Sequence, residues 1–142
     1  METNPFIHIR SPQFRILPGE DAELVNEGTH GKALAEYLRP RLTKRGYRAT
    51  GIVCEDWGWW LTVDGLPFPC GICIYGARIG ASDDLDLCVT ISTPAARKWS
   101  WRKFGFIGTS AEIDRLHEAL RRLFAEDPHI VVVGETAEFP LG

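Results

Sequence analysis

The chain has 142 residues, of which 25% are charged and 44% hydrophobic, and its formal net charge is −3. This length and composition are typical of a folded globular domain and exclude a disordered chain. A mildly acidic chain has no overall attraction for nucleic acid, so such a role would require a local basic patch.

The first third of the sequence indicates short strands followed by a helix. Residues 6–10 and 14–16 alternate apolar and polar side chains, which predicts two edge-type strand pieces. From Thr29 to Arg45 apolar residues recur at intervals of three and four, as on one side of a helix. We expect this helix to kink or break at Pro40 and to end at Gly46.

The central stretch, residues 55–75, predicts a β-hairpin. Asp64-Gly65 suits a two-residue turn between two apolar runs, and that turn would place Leu61 opposite Phe68. Side-chain alternation would put four apolar residues on one face: Trp57, Trp59, Leu61 and Val63.

The second half of the chain predicts strands around another helix. Residues 83–92 alternate strictly, as in a strand with one buried and one wet face. Residues 99–107 indicate an aromatic-rich strand, and residues 109–112 match a capping box at the start of a helix. That helix would end at Asp127-Pro128, and residues 130–133 would form a short buried strand.

These elements predict the α+β class, with residues 1–142 as a single domain. Consecutive strands joined by tight turns imply an antiparallel meander of about five strands. Two amphipathic helices would cover part of it, giving a two-layer domain.

The N-terminal sequence lacks the basic-then-apolar order of a signal peptide, and no apolar run is long enough for a membrane span. We therefore expect a cytoplasmic protein that does not contact membranes, with its cysteines as free packing thiols. Cys70 and Cys73 have the spacing of a zinc pair, but positions three apart in a strand point to opposite faces. We expect no metal, no cofactor and no catalytic constellation.

The leading candidate for a functional surface lies on the second face of the hairpin. Trp60 is out of phase with its neighbouring tryptophans, so a large aromatic side chain stands where alternation favours a polar residue. Apolar bulk beside carboxylates is a feature of binding patches. The predicted surface consists of Trp60, Tyr75, Asp84 and Asp86. Alternatively, the N-terminal strands, residues 20–28 or a second subunit cover Trp60 as a minor core.

A second candidate is a stretch that interleaves cations with aromatic residues, as single-stranded nucleic-acid binders do. It comprises Arg97, Lys98, Trp101, Arg102 and Lys103. The same tryptophans would serve equally as core anchors with the cations at the strand ends.

The segment Glu55-Asp56-Trp57-Gly58-Trp59 resembles the E-D-W-G-W segment of small uncharacterised bacterial proteins. The resemblance implies a bacterial origin and no particular activity. The acidic antiparallel plan is similar to that of toxin-immunity and inhibitor proteins, by analogy of shape and composition.

We expect a non-enzymatic cytoplasmic binding protein, immunity- or inhibitor-like, whose partner is another protein. Homo-oligomerisation is also compatible with the sequence. One alternative is a small-molecule or nucleotide-binding domain, with hydrolysis as an added activity, which a cleft of about 300 Å³ or more with converging polar groups would favour. The other alternative is nucleic-acid binding through Arg97 to Lys103.

Overall fold

A computed structural model describes residues 5–93 and 103–141, and for residues 103–110 it describes the backbone alone. Among these residues, every helix is too short or too polar to cross a membrane. The elements in chain order are β1 (Phe6–Arg15), α1 (Glu20–Glu23), α2 (Lys32–Lys44), β2 (Arg48–Cys54), β3 (Trp59–Asp64), β4 (Cys70–Arg78), β5 (Asp84–Ser92), α3 (Lys103–Glu126) and β6 (Val131–Thr136).

The six described strands form one antiparallel sheet in the order β2-β3-β4-β5-β1-β6, so the α+β class is correct. The meander extends from β2 to β5 only, because β1 lies between β5 and β6. The prediction of two edge-type pieces near the N-terminus was therefore wrong. Residues 6–10 and 14–15 belong to one interior strand, and Ile16 directly follows it; the pairing of this strand with β5 shifts register between Arg10 and Arg15.

The β3–β4 hairpin has a longer connection than the predicted two-residue turn. Leu61 pairs with Ile72 rather than Phe68, a shift of four residues (72 − 68). Pro67 and Pro69 lack the N–H that a ladder requires, so pairing resumes only at Cys70. Because the shift is an even number, the strand residues keep their predicted faces.

The inner face of the sheet forms the main core together with α2 and α3. The buried strand residues of this core are Ile7, Ile9, Phe14, Ala49, Trp59, Leu61, Val63, Cys70, Ile72, Ile74, Leu85, Leu87, Val89 and Ile91. Buried leucines and a phenylalanine of the helices belong to the same cluster: Leu34, Leu38, Leu42, Leu116, Leu120, Leu123 and Phe124. The predicted apolar stripes of both helices are confirmed.

The opposite face, which we call the outer face, carries the alternate strand residues. They include His8, Arg10, Trp60, Cys73, Tyr75, Asp86 and Cys88. The predicted wet face of β5 is only partly wet, since Cys88 is fully buried and Thr90 is 9% exposed.

Helix α2 passes through Pro40 without a break, although we expected a kink or break there. Two side chains near Pro40 also bond helix carbonyls: Arg41 Nη1 donates to the Tyr37 carbonyl and Thr43 Oγ1 to the Arg39 carbonyl. The helix ends at Gly46 as predicted. Gly46 has φ of 95°, and its N–H donates to the Thr43 carbonyl, in a Schellman-type ending.

A buried carboxylate fixes the beginning of α2. Glu20 is fully buried, and its Oε2 accepts from the backbone N–H groups of Gly31 and Lys32 at 2.9 and 3.0 Å. Its Oε1 accepts from Leu17 N–H at 3.0 Å. The three bonds offset the cost of burying the charge and satisfy free amides at the helix start.

Three predictions about the C-terminal third were wrong: the helix start at residues 109–112, the strand at residues 103–107 and the burial of the last strand. Helix α3 begins at Lys103, so the capping box at residues 109–112 lies inside it and residues 103–107 are helical rather than extended. The remainder of the predicted strand lies outside the described residues. Strand β6 lies at the sheet edge and is exposed, with Val131 at 64%, because it pairs with β1 alone.

Replacing Trp59 by alanine tests the assignment of the inner face. Trp59 is 2% exposed, so truncation leaves a large cavity and should lower the free energy of unfolding by about 3–5 kcal/mol. Trp60→Ala, on the outer face, should cost less because that side chain is half-buried. Urea unfolding of both variants measures the difference, and equal midpoints would contradict the assignment.

Candidate binding surface

The sheet register brings most of the predicted surface together on the outer face. Trp60 pairs with Cys73 across β3 and β4, and Tyr75 pairs with Cys88 across β4 and β5. Asp86 lies two residues before Cys88 on the same side of β5. Trp60, Tyr75 and Asp86 therefore share one face, as predicted from alternation.

Four aromatic side chains form a contiguous cluster on this face. Ring centroids lie 5.2 Å apart for Trp57 and Tyr75, and 5.1 Å apart for Tyr75 and Phe139. Phe6 contacts both Tyr75 and Phe139, at 6.0 and 5.6 Å. We call Phe6, Trp57, Tyr75 and Phe139 the aromatic cluster. Phe139 is 49% exposed and the other three are half-buried.

The cluster contains residues that sequence reasoning missed or misplaced. Trp57 was expected beside Trp59 on the inner face, but it precedes β3 and its ring contacts Tyr75 on the outer face. Phe139 follows the last strand, where no periodic pattern marks it. Phe6 belongs to a strand expected at an edge, so its position next to Tyr75 could not be inferred.

Trp60 lies flat against the neighbouring strand beside the cluster. A Cβ added to Gly71 would come within 2.1 Å of Trp60 Cζ2, so the glycine provides the space for the indole. Trp60 Nε1 donates to Thr62 Oγ1 at 2.9 Å. The polar atom is satisfied within the sheet, and the half-buried ring covers Gly71 of β4 on the outer face.

The two predicted carboxylates are each paired with an arginine of β1, and His8 also contacts Asp86. Arg15 Nε lies 3.1 Å from Asp84 Oδ1, and Asp86 Oδ1 lies 2.5 Å from His8 Nε2 and 3.1 Å from Arg10 Nε. Burial alone would raise the pKa of Asp86, but hydrogen bonds from Arg10 and His8 outweigh it and the pKa is lowered. These carboxylates therefore add little net negative charge to the surface.

Other carboxylates around the aromatic cluster have no cationic partner in the described part of the chain. Glu55 and Asp56 directly precede Trp57, and Glu138 directly precedes Phe139. None of the three side chains makes an ion pair with a described residue. They form an acidic rim next to the aromatic side chains.

A thiol, an imidazole and a carboxylate also meet on the outer face. His8 pairs with Cys88 in the sheet register and contacts Asp86. Nucleophilic catalysis requires a thiolate, however, and burial raises the pKa of Cys88 to about 12. Burial likewise raises the pKa of Cys73 to about 11. Both groups are held as neutral packing thiols.

The cysteine spacing does not produce a metal pair. Cys70 pairs with Val63 on the inner face and Cys73 with Trp60 on the outer face, so their side chains diverge as predicted. In residues 5–93 and 111–141, no group of three or more His, Cys, Asp or Glu side chains is arranged to hold a metal ion. That the protein functions without a bound metal stays a prediction.

The alternative basic-aromatic patch falls almost entirely outside the described residues. Arg97, Lys98, Trp101 and Arg102 precede the described start of α3, and for Lys103 the backbone alone is described, as the first residue of that helix. Its proposed role in nucleic-acid binding stays a prediction.

An ion-pair network holds the strand that leads to Phe139. Glu135 on β6 accepts hydrogen bonds from Arg121 at 2.6 and 2.9 Å and contacts His117 Nε2 at 3.0 Å. The Arg121 hydrogen bond is the main reason that the pKa of Glu135 is lowered to about 2. A groove of about 550 Å³ follows this strand along residues 136–140.

Thiol reactivity tests the state of the cysteines. Burial raises the pKa of Cys70, Cys73 and Cys88 to about 12, 11 and 12, whereas Cys54 is partly exposed. An aromatic disulfide reagent at neutral pH should modify Cys54 first and the other three only after unfolding. Cys54→Ser should remove the fast phase. Two or more fast-reacting thiols in the wild type would contradict this.

Acid titration tests the role of Glu135. A carboxylate with a lowered folded-state pKa stabilises the protein above its ordinary pKa, 4.5, and that contribution is lost as pH falls toward about 2. Glu135→Gln should therefore flatten the decline in melting temperature below about pH 4.5. Asp114→Asn, an exposed carboxylate of α3, serves as the control. Equal acid slopes in wild type and Glu135→Gln would refute the assignment.

Comparison with protein families, curated proteins and solved structures found no match for this chain. The resemblance of residues 55–59 to small bacterial proteins consequently stays a prediction. The geometry of the outer face is the basis for a functional proposal.

Proposed function

We propose that this protein is a non-enzymatic cytoplasmic binding protein that recognises another protein through its outer face. The observation that carries the proposal is the contiguous aromatic cluster with Trp60 beside it. Aromatic side chains supply much of the energy of protein interfaces, because each buries a large area at a low entropic cost. Phe139 is 49% exposed on a face where the nearby carboxylates of β5 are already paired.

The acidic rim indicates the chemistry of the partner. Glu55 and Asp56 directly precede Trp57, Glu138 directly precedes Phe139, and none of the three has a described cationic partner. A complementary surface would present an apolar centre surrounded by lysine or arginine, so that opposite charges meet at the rim. This arrangement supports an immunity- or inhibitor-like protein that covers a basic partner.

The shape of the surface also supports a protein ligand. The groove along residues 136–140 begins next to β6 and contains Phe139, so a partner side chain could enter it while the flat sheet contacts the remainder of the interface. The neutral, buried state of Cys73 and Cys88 favours binding over nucleophilic catalysis on this face.

Site-specific photo-crosslinking tests the proposal directly on the outer face. A photoreactive phenylalanine analogue at position 139 should crosslink to a basic protein in lysate of the source cell. The same analogue at Asp114, on the exposed side of α3, should not. Glu138→Lys should reduce the crosslinked yield by about tenfold, because it places a like charge opposite the partner's cations.

Truncation with a matched control completes the test. In a pull-down with the tagged protein and no crosslinker, Phe139→Ala should abolish capture of the partner, whereas Ile79→Ala, which truncates an apolar side chain of similar exposure at the end of β4, should retain it. Melting curves verify that both variants are folded. Equal capture by all variants, or crosslinking to nucleic acid alone, would refute the proposal. A crosslink to a second copy of the chain would assign the outer face to self-association instead.

A further inference from the structure

A groove of about 680 Å³ lies on the helical side of the protein, between the last turns of α2 and α3. Its walls include Tyr37 and Arg41 from α2, and Leu123 and Pro128 from α3 and the turn after it. The volume is in the range of small-molecule sites, and polar and apolar groups converge on it. It is separate from the aromatic cluster of the outer face.

Arg41 is held in place at this groove without a carboxylate partner. Its guanidinium carbon lies 3.7 Å from the centroid of the Tyr37 ring, and Nη1 donates to the Tyr37 carbonyl at 3.1 Å. Tyr37 is itself fixed, since its hydroxyl donates to Asp127 at 2.6 Å. The remaining N–H groups of a stacked guanidinium are oriented in advance for a ligand.

The cations of the groove outnumber the carboxylates available to them. Arg45 pairs with Glu126, whereas Lys44 makes no ion pair with a described residue. Asp127 is occupied by neutral donors: its oxygens accept from Tyr37, Gln13 Nε2 and the His129 N–H. Arg41 and Lys44, one turn apart on α2, therefore repel each other, and the Asp127 carboxylate of the groove is bonded to neutral donors rather than to either of them.

Basic residues in a last helical turn commonly serve the helix end itself, by bonding its free carbonyls. In α2 that role is already filled by backbone donors. The N–H groups of Arg45 and Tyr47 donate to the Leu42 carbonyl, and that of Gly46 donates to the Thr43 carbonyl. Arg41 bonds the Tyr37 carbonyl through Nη1, so its other N–H groups and the Lys44 ammonium are the groups of this turn that a ligand would contact.

We propose that this groove binds a small anionic ligand, whose carboxylate or phosphate group contacts Arg41 and Lys44 while an apolar part packs against Leu123 and Pro128. A guanidinium fork matches the paired oxygens of either anion, and the ammonium adds a second positive charge. The site is independent of the outer face, so either proposal can fail without the other.

Titration with defined anions tests the site. Phenyl phosphate and benzoate, each carrying an aromatic ring, are compared with inorganic phosphate and acetate at constant ionic strength, and backbone amide shifts near Lys44 and His129 are followed. We expect saturable binding, tighter for the ring-bearing member of each pair because it adds apolar contact. The better of the two ring-bearing probes identifies the phosphate or the carboxylate as the preferred group.

Three variants link binding to the named side chains. Lys44→Gln and Arg41→Lys should each weaken binding by about tenfold, the second because it keeps the charge but loses the fork. Arg78→Gln removes the same charge at the end of β4, where its contact with Asp83 is 3.9 Å, and should leave binding unchanged. Absence of saturable shifts, or equal losses in Arg78→Gln and Lys44→Gln, would overturn the proposal.

Discussion

The unbroken ladder between β4 and β5 is the constraint on which both faces of the sheet depend. Every residue of β4 from Gly71 to Arg78 has a direct partner on β5, from Ser92 back to Leu85. Since side chains alternate strictly along such a pair, one register fixes the core and the outer face together. The aliphatic residues of this pair fill the inner face, and Tyr75 then necessarily lies on the outer one beside Cys88.

Local periodicity predicted this division because it depends only on neighbouring residues. The faces of β3 survived an error of four residues in the hairpin register, since an even shift conserves alternation. Long-range partners could not be predicted in this way. Arg10 neutralises Asp86 from 76 residues away and His8 contacts it from 78, so an acidic patch inferred from β5 alone is already paired in the folded chain.

Two local sequence motifs gave wrong predictions of helix boundaries because tertiary contacts outweighed them. Residues 109–112 match a capping box, yet the described helix runs from Lys103 to Glu126, so this motif lies within the helix and not at its start. Pro40 removes a backbone donor but leaves α2 unbroken, because the helix is anchored at both ends, by Glu20 at its start and by Gly46 at its end. Intrinsic preference is a weak guide when packing and end contacts act together.

Charged residues would contribute to binding in different ways at the two proposed surfaces. On the outer face, aromatic burial would provide most of the binding energy, whereas the rim carboxylates are solvent-exposed and act mainly on the rate of encounter. Added salt should therefore slow association there more than it speeds dissociation. In the groove between α2 and α3, Arg41 contacts the ligand directly, so salt competes for the site itself. Salt should therefore lower the association rate at the outer face but lower the affinity of the groove directly. The difference arises because the charges lie at the edge of the first contact and within the second.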